Sequence, residues 1–454
     1  MVINVLPNLQ LREAERMFKK FLTIIKQLFS NIRSYIKFSI EKGAIHILIG
    51  NFSTKFVAFF GSVFLSRFLN KTDLGNLAYM ENIYGYAYVF AGLGLSNALL
   101  RFSVLSDSIE KKYGYYRYSI IKGTVFNFIL VIILIIGNIF YKHPEQFSIS
   151  YLLLPILFLS LPFQDLITQV QINERAMQNN KRYALNSVIS ALLIVLSRTF
   201  SAKYGNLNKV VYSVLFAHVL VSLVLIINTK QHYFKNIVSE KLLPSEKNHA
   251  SNYAFQYMIT NGLWSVFMLT NIFMLSKIIG DPVATADFKI SYAFPANMSI
   301  VSSSLGIFVT PYFVKNEQNI NWVRNNYRKN LFLSAIVMGV VSISIFILAK
   351  PLLWLFGEQY LNNVPLMRLL ILGTFIDTAF RFPTANILAS IGKVKHNMVI
   401  SAIGFIIQAT LNLFTIPKYG PYGVGYTMII VQSVMASLLF WVMNKDYRIF
   451  SNTK

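Results

Sequence analysis

The stretch AIHILIGNFSTKFVAFFGSVFLS, from Ala44 to Ser66, decides how this chain is read. A membrane-spanning helix needs about 20 apolar residues at ~1.5 Å each, and this run is long enough. Its centre nevertheless holds Asn51, Ser53, Thr54 and Lys55. Lys55 would lie roughly 15 Å from either end, too deep for its ammonium to reach the headgroups. At helical spacing Asn51, Lys55, Ala58, Ser62 and Ser66 share one face, while Phe52, Phe56, Phe59, Phe60 and Val63 point elsewhere. The pattern predicts a membrane helix with one face on water or protein and the others on lipid. Because charge inside a bilayer is costly, a functional cavity explains Lys55 better than a packing contact.

The rest of the chain agrees with a membrane setting. Hydrophobic residues make up 55% and charged residues 13%, which is far from a soluble domain. Eleven further apolar stretches follow, near 76–101, 118–141, 150–171, 183–204, 208–228, 251–278, 284–311, 330–353, 361–391, 394–416 and 420–443. The expected fold is an all-α integral membrane protein of about twelve transmembrane helices. Its first apolar run is too long for the core of a cleavable signal, so none is expected.

The net charge of +24 is carried mainly by the connections between spans. Roughly 29 basic residues fall on the side of the N-terminal segment and every second loop, against roughly nine on the other. This places both termini in the cytoplasm and assigns the charge to an anionic leaflet, with no role in nucleic-acid binding. Residues 1–43 add a basic amphipathic segment, with Leu11, Ala14, Phe18, Phe21, Leu22, Ile25, Leu28, Ile32 and Ile36 at helical spacing.

The polar stretch 229–250 divides the spans into six and six, giving lobes at 44–228 and 251–443 and a cytoplasmic tail at 444–454. FLSRFL (Phe64 to Leu69) ending the first span is echoed by MLSKII (Met274 to Ile279) ending the seventh. Two lobes of like topology imply a pseudo-two-fold axis along the membrane normal.

Within the spans, TFIDTAFRFPTAN (Thr374 to Asn386) carries the richest polar group. Asp377 precedes Arg381 by one turn, so the two can pair along the helix, and Pro383 loosens the backbone beside them. Lys289 shares a face with Thr285, Tyr292, Ala296, Ser299 and Ser303. Asp165 is expected to pair with a cation of the inner half. Arg368 reads as a snorkelling residue and His218 as a packing one. GLGLSN (Gly92 to Asn97) lies in an apolar span and is read as a close-packing helix segment, not a phosphate loop. The candidate cavity residues are therefore Lys55, Asn51, Lys289, Asp377 and Arg381, with Asp165 and Asp377 as pairing or coupling groups. Such a cationic cavity suits an anionic substrate.

The chain holds no cysteine, which excludes disulfides and thiolate metal sites. It has no P-loop, HExxH or Gly-x-Ser-x-Gly motif, so neither catalysis, a metal nor a cofactor is expected.

Four segments carry a family resemblance: LSRFLNKTDLGNLAYMENIY (Leu65 to Tyr84), GLGLSNALLRF (Gly92 to Phe102), PLLWLFGEQYLNNVPLMRLLILG (Pro351 to Gly373) and IPKYGPYGVGYT (Ile416 to Thr427). In order and spacing the chain resembles the oligosaccharide (O-antigen type) flippases. These are the polysaccharide branch of the superfamily that includes multidrug and toxin extrusion (MATE) exporters and lipid II flippases.

The resemblance implies two six-helix lobes around a central cavity, alternating access, and transfer of undecaprenyl-diphosphate-linked oligosaccharide between leaflets of a bacterial inner membrane. It also implies partners in the lipid-linked oligosaccharide, anionic lipids, and the polysaccharide polymerase and chain-length machinery. Asn271 departs from the family by standing where relatives often carry an acid. A multidrug-type exporter of the same fold is the alternative, though it would favour buried carboxylates. A membrane polymerase of the same pathway would need longer outer loops.

Overall fold

The computed structural model describes residues 44–447, and the basic segment expected at 1–43 and the end of the tail lie outside the described residues. The described chain is helical almost throughout. In order the helices are α1 (Ala44–Phe68), α2 (Lys71–Tyr88), α3 (Leu95–Val104), α4 (Ile109–Phe140), α5 (Ser148–Leu159), α6 (Leu161–Ala176), α7 (Asn180–Lys203) and α8 (Leu207–Tyr233). Then come α9 (Pro244–Ile279), α10 (Pro282–Lys315), α11 (Ile320–Ile347), α12 (Ala349–Trp354), α13 (Val364–Ile376), α14 (Phe382–Ser390), α15 (Val394–Tyr419) and α16 (Pro421–Tyr447).

Ten spans among the described residues, counting α5–α6 and the α13–α14 run as one each, are long and apolar enough to cross a membrane. The pair α2 and α3, bent by 44°, makes an eleventh. The first expected span corresponds to the unbroken helix α1.

Local chemistry sets the helix starts. Asn70, Ser108, Asn179, Asn206, Asp281 and Asn319 each accept a backbone N–H of the first turn of the helix that follows. Pro244 and Pro282 stand in first turns, where a missing N–H leaves no bond unmade.

Two breaks differ from the sequence reading. The second span is not one helix over 76–101: it stops at Tyr88 and restarts at Leu95, because Gly92, Leu93 and Gly94 all take positive φ. The segment read as packed helix is thus a kink. A Cβ at Gly92 would come within 2.6 Å of an Asp165 carboxylate oxygen, so glycine is needed there for space as well as conformation. The tenth span changes at Asp377–Arg381 into a π turn closed by a bond from the Phe382 amide to the Asp377 carbonyl. Pro383 offers no N–H to the turn before it, and the Thr378 carbonyl accepts instead from Ser302 Oγ of α10 at 2.7 Å. The linker is also shorter than expected, because α8 runs to Tyr233 and α9 begins at Pro244.

The two halves of the chain meet chiefly through α2, α9 and α10. On the side away from the basic loops the seam is tight. A Cβ at Gly75 of α2 would lie 1.8 Å from the Pro282 carbonyl of α10. Ser66 Oγ donates to the Phe356 carbonyl at 2.9 Å, Arg67 donates to the carbonyls of Leu355 and Trp354, and Lys71 pairs with Asp287 at 2.7 Å. Beneath these contacts Phe59 packs on Phe294 and Phe356, with ring centroids 5.0 and 5.8 Å apart. On the basic side of that aromatic layer, α1 exposes Asn51 and Lys55 and α10 exposes Ser299 and Ser304. The α1–α10 edge is therefore closed at the seam, and toward the basic side it carries exposed polar side chains.

Candidate functional site

Just under the seal, three charged side chains from three spans converge. Glu81 of α2 accepts from Lys289 of α10 at 2.7 Å and from Arg198 of α7, so one carboxylate joins two cations across the halves. They line a cavity of about 220 Å³ with Ala58, Gly61 and Ser62 of α1. Each is partly exposed to that space, by 21–32%. The group carries one negative charge against two positive ones, and so leaves a net charge of about +1 facing the cavity.

The structure sorts the face proposed for the first span. Ser66 is buried in the seam, and Ala58 and Ser62 line the cavity. Lys55 continues the same stripe one turn toward the basic side, exposed, and Asn51 beyond it accepts from Tyr183 of α7 at 3.0 Å. Lys289, expected on a polar face, is held by Glu81. Neither Glu81 nor Arg198 was among the sequence candidates. A lone acid within an apolar span, in YMENIY near the start of 76–101, was the signal for the first. Arg198 counts with the roughly nine basic residues of the other side, although it lies within the stretch 183–204 and more than a turn inside the end of α7.

Asp377 and Arg381 pair within the π turn, as their spacing predicts. The Arg381 guanidinium also lies 4.7 Å from the centre of the Trp264 ring of α9. Trp264 in turn lines a second interlobe cavity, of about 510 Å³, with Asp165, Tyr88 and Asn97 on its other wall.

Asp165 corrects an expectation, since no cation lies within ion-pair distance of it among the described residues. Its carboxylate accepts from Asn127 at 2.9 Å and Gln169 at 2.7 Å, and the Asn127 oxygen accepts the Gly92 amide at 2.7 Å. The kink supplies the reason: by freeing the Gly92 amide it fixes Asn127, whose NH₂ then serves the acid.

Asn271 accepts from Asn412 at 3.0 Å, an uncharged amide pair. His218 bonds the Val214 carbonyl, as a packing residue would, and Arg368 lies over Phe346.

Comparison with known proteins follows the same lines. The family described as "Polysaccharide biosynthesis protein" matches residues 40–317. An uncharacterized membrane protein in the cps region of Klebsiella pneumoniae is 21% identical over 398 residues, 86% of this chain and 79% of that protein. An uncharacterized membrane protein of Methanocaldococcus jannaschii is 22% identical over 435 residues, 89% of this chain and 84% of its own.

Among solved structures, the lipid II flippase MurJ in an inward closed conformation aligns with a TM-score of 0.70 at 18% identity, covering 89% of each chain. An inward-facing MATE-family multidrug transporter aligns with a TM-score of 0.68 at 15% identity, covering 87% of this chain and 94% of its own. The chain therefore belongs to the polysaccharide biosynthesis protein family and has the fold shared by MATE exporters and a lipid II flippase, proteins that move a substrate and do not transform it.

Proposed function

We propose that this protein flips undecaprenyl-diphosphate-linked oligosaccharide units from the cytoplasmic to the periplasmic leaflet of a bacterial inner membrane, for O-antigen or another surface polysaccharide. The basic loops face the cytoplasm in this reading. The observation that supports it is the Glu81–Arg198–Lys289 cluster, because its net positive charge lines a cavity between spans of the two halves. A diphosphate entering along the α1–α10 edge meets Lys55 first and then this cluster, while its lipid chain stays in the bilayer. Oxyanions bind such groups through charge-assisted hydrogen bonds, and a carboxylate between the two cations offsets their mutual repulsion and keeps them side by side.

The test follows Lys55, which meets the substrate before the cluster does. In a strain lacking the chromosomal copy, Lys55→Arg should restore part of the surface polysaccharide and Lys55→Met little, at equal amounts of inserted protein. Charge is kept in the first and lost in the second, although Met suits a membrane helix better. Lipid-linked units should accumulate, accessible only from the cytoplasmic face, in the Met strain. Normal export by Lys55→Met would remove the cationic path, and normal outer-leaflet exposure of lipid-linked units without the protein would remove the flippase reading.

A further inference from the structure

We propose that the cleft on the far edge of the interface, between α4 and α5 of one half and α9 and α15 of the other, binds one acyl chain of an anionic phospholipid. The chain would come from the leaflet opposite the basic loops. The cleft measures about 660 Å³ and is lined almost wholly by carbon, with Leu134, Phe158, Phe273 and Phe405 among its walls. It opens sideways along helices whose outer faces are apolar, so it meets lipid, and an unfilled void there would forfeit the dispersion contacts of its lining.

Its length fits one leaflet. From Lys277 at the rim down to Val266 at the bottom, α9 rises roughly 16 Å, about half of a ~30 Å hydrocarbon core. Gly137 marks the vacant space, since a Cβ built on it meets nothing within 4 Å.

The rim supplies the charge preference. The Lys277 ammonium donates to the Lys142 carbonyl at 2.9 Å and lies 4.7 Å from the centre of the Tyr141 ring. Tyr141 and His143 line the mouth of the cleft itself. Both lysines are exposed, and among the described residues no carboxylate pairs with either. An apolar slot one leaflet deep beneath the unneutralised Lys277 ammonium, with Lys142 exposed beside it, is complementary to an anionic headgroup with its chain below. The long prenyl chain of a lipid-linked sugar would overrun a slot of this depth.

Lipid retention by the purified full chain, read by native mass spectrometry with dioleoyl phosphatidylglycerol or dioleoyl phosphatidylcholine, tests the site. Wild-type protein should retain the phosphatidylglycerol about fivefold better per rim lysine. Lys277→Gln should lower that preference and leave phosphatidylcholine retention unchanged. Gly137→Trp, which fills the slot, should lower retention of both lipids, with Leu134→Phe as the milder variant if the first does not fold. Equal retention by wild type and the filled variants would overturn the site. Displacement of phosphatidylglycerol by undecaprenyl phosphate at a lower concentration would overturn the assignment to phospholipid.

Discussion

Two ion-paired groups of similar chemistry lie inside this membrane protein, and they differ in what they join. Glu81 is bonded to Arg198 and Lys289 from separate spans, one of them in the other half of the molecule. Asp377 and Arg381 are neighbours on a single turn. If the halves part at the sealed end, the first group must lose the Lys289 contact, whereas the second travels intact with its own helices. A pair across the seam can therefore report and bias the position of the halves, and a pair within a helix can only shape its local cavity wall.

The sharpest way to break this distinction is Glu81→Gln. It leaves Arg198 and Lys289 facing each other without a carboxylate, the arrangement in which removal of one partner costs most. With a single cysteine introduced at Ser62, labelling by a membrane-impermeant maleimide from the side opposite the basic loops should accelerate about tenfold, an effect of ~1.4 kcal/mol. Surface polysaccharide should fall with it. Lys289→Gln should do less, because Arg198 still neutralises Glu81. Labelling at wild-type rate in Glu81→Gln would show that the cluster does not hold the halves.

The same assay on the intrahelical pair should give the opposite result. Asp377→Asn and Arg381→Gln are expected to leave Ser62 labelling unchanged, yet to lower surface polysaccharide at normal protein levels. Asp377→Asn should also cost about 1–3 kcal/mol of thermal stability, since the buried Arg381 then lacks its charged acceptor. Exchanging the two residues should restore part of the loss. Full activity in both single variants would make the pair a static feature.

What the sequence could and could not tell divides along this same line. Helix existence was legible because a bilayer leaves apolar length as the main signal, and Asp377 and Arg381 were legible because one turn of helix fixes their distance. The Glu81 cluster was not. Its members lie on α2, α7 and α10, and nothing in local spacing says that these meet. Asp165 shows the converse error, for a buried acid suggested a cation and found two amides instead. The kink was misread because glycines in an apolar span serve close packing and left-handed backbone equally well, and the neighbouring Leu93 gives no sign of its positive φ.

That kink yields a smaller effect of either sign. A left-handed conformation costs an L-residue about 1–2 kcal/mol, so Leu93→Gly should stabilise this conformation by about 1 kcal/mol. Gly92→Ala should destabilise it, because its methyl would press on Asp165. Thermal unfolding of the two variants in one detergent compares them directly. A loss of stability in Leu93→Gly would mean that its side-chain packing outweighs the strain.

The weakest effect belongs to an ion pair between the halves at the basic end, where Lys111 of α4 pairs with Glu246 in the first turn of α9 at 2.6 Å. This turn precedes the apolar run that begins near Ser251 and lies outside the stretch 251–278 read as the span. The Glu246 carboxylate is held below its ordinary range by hydrogen bonds from Lys111 and from the Leu243 amide. A lowered carboxylate adds stability above its unfolded value and loses it as pH falls through the folded one. The contribution should therefore be constant at neutral pH and disappear in acid. Exposed pairs contribute little and are screened by salt, so Glu246→Gln, which can still cap the helix, should shift the unfolding midpoint only slightly, and about 1 M salt should erase the difference. Glu81→Gln should keep its effect on Ser62 labelling at the same salt, because its partners lie inside the protein. If salt abolished both effects equally, burial would not be what separates the two ties.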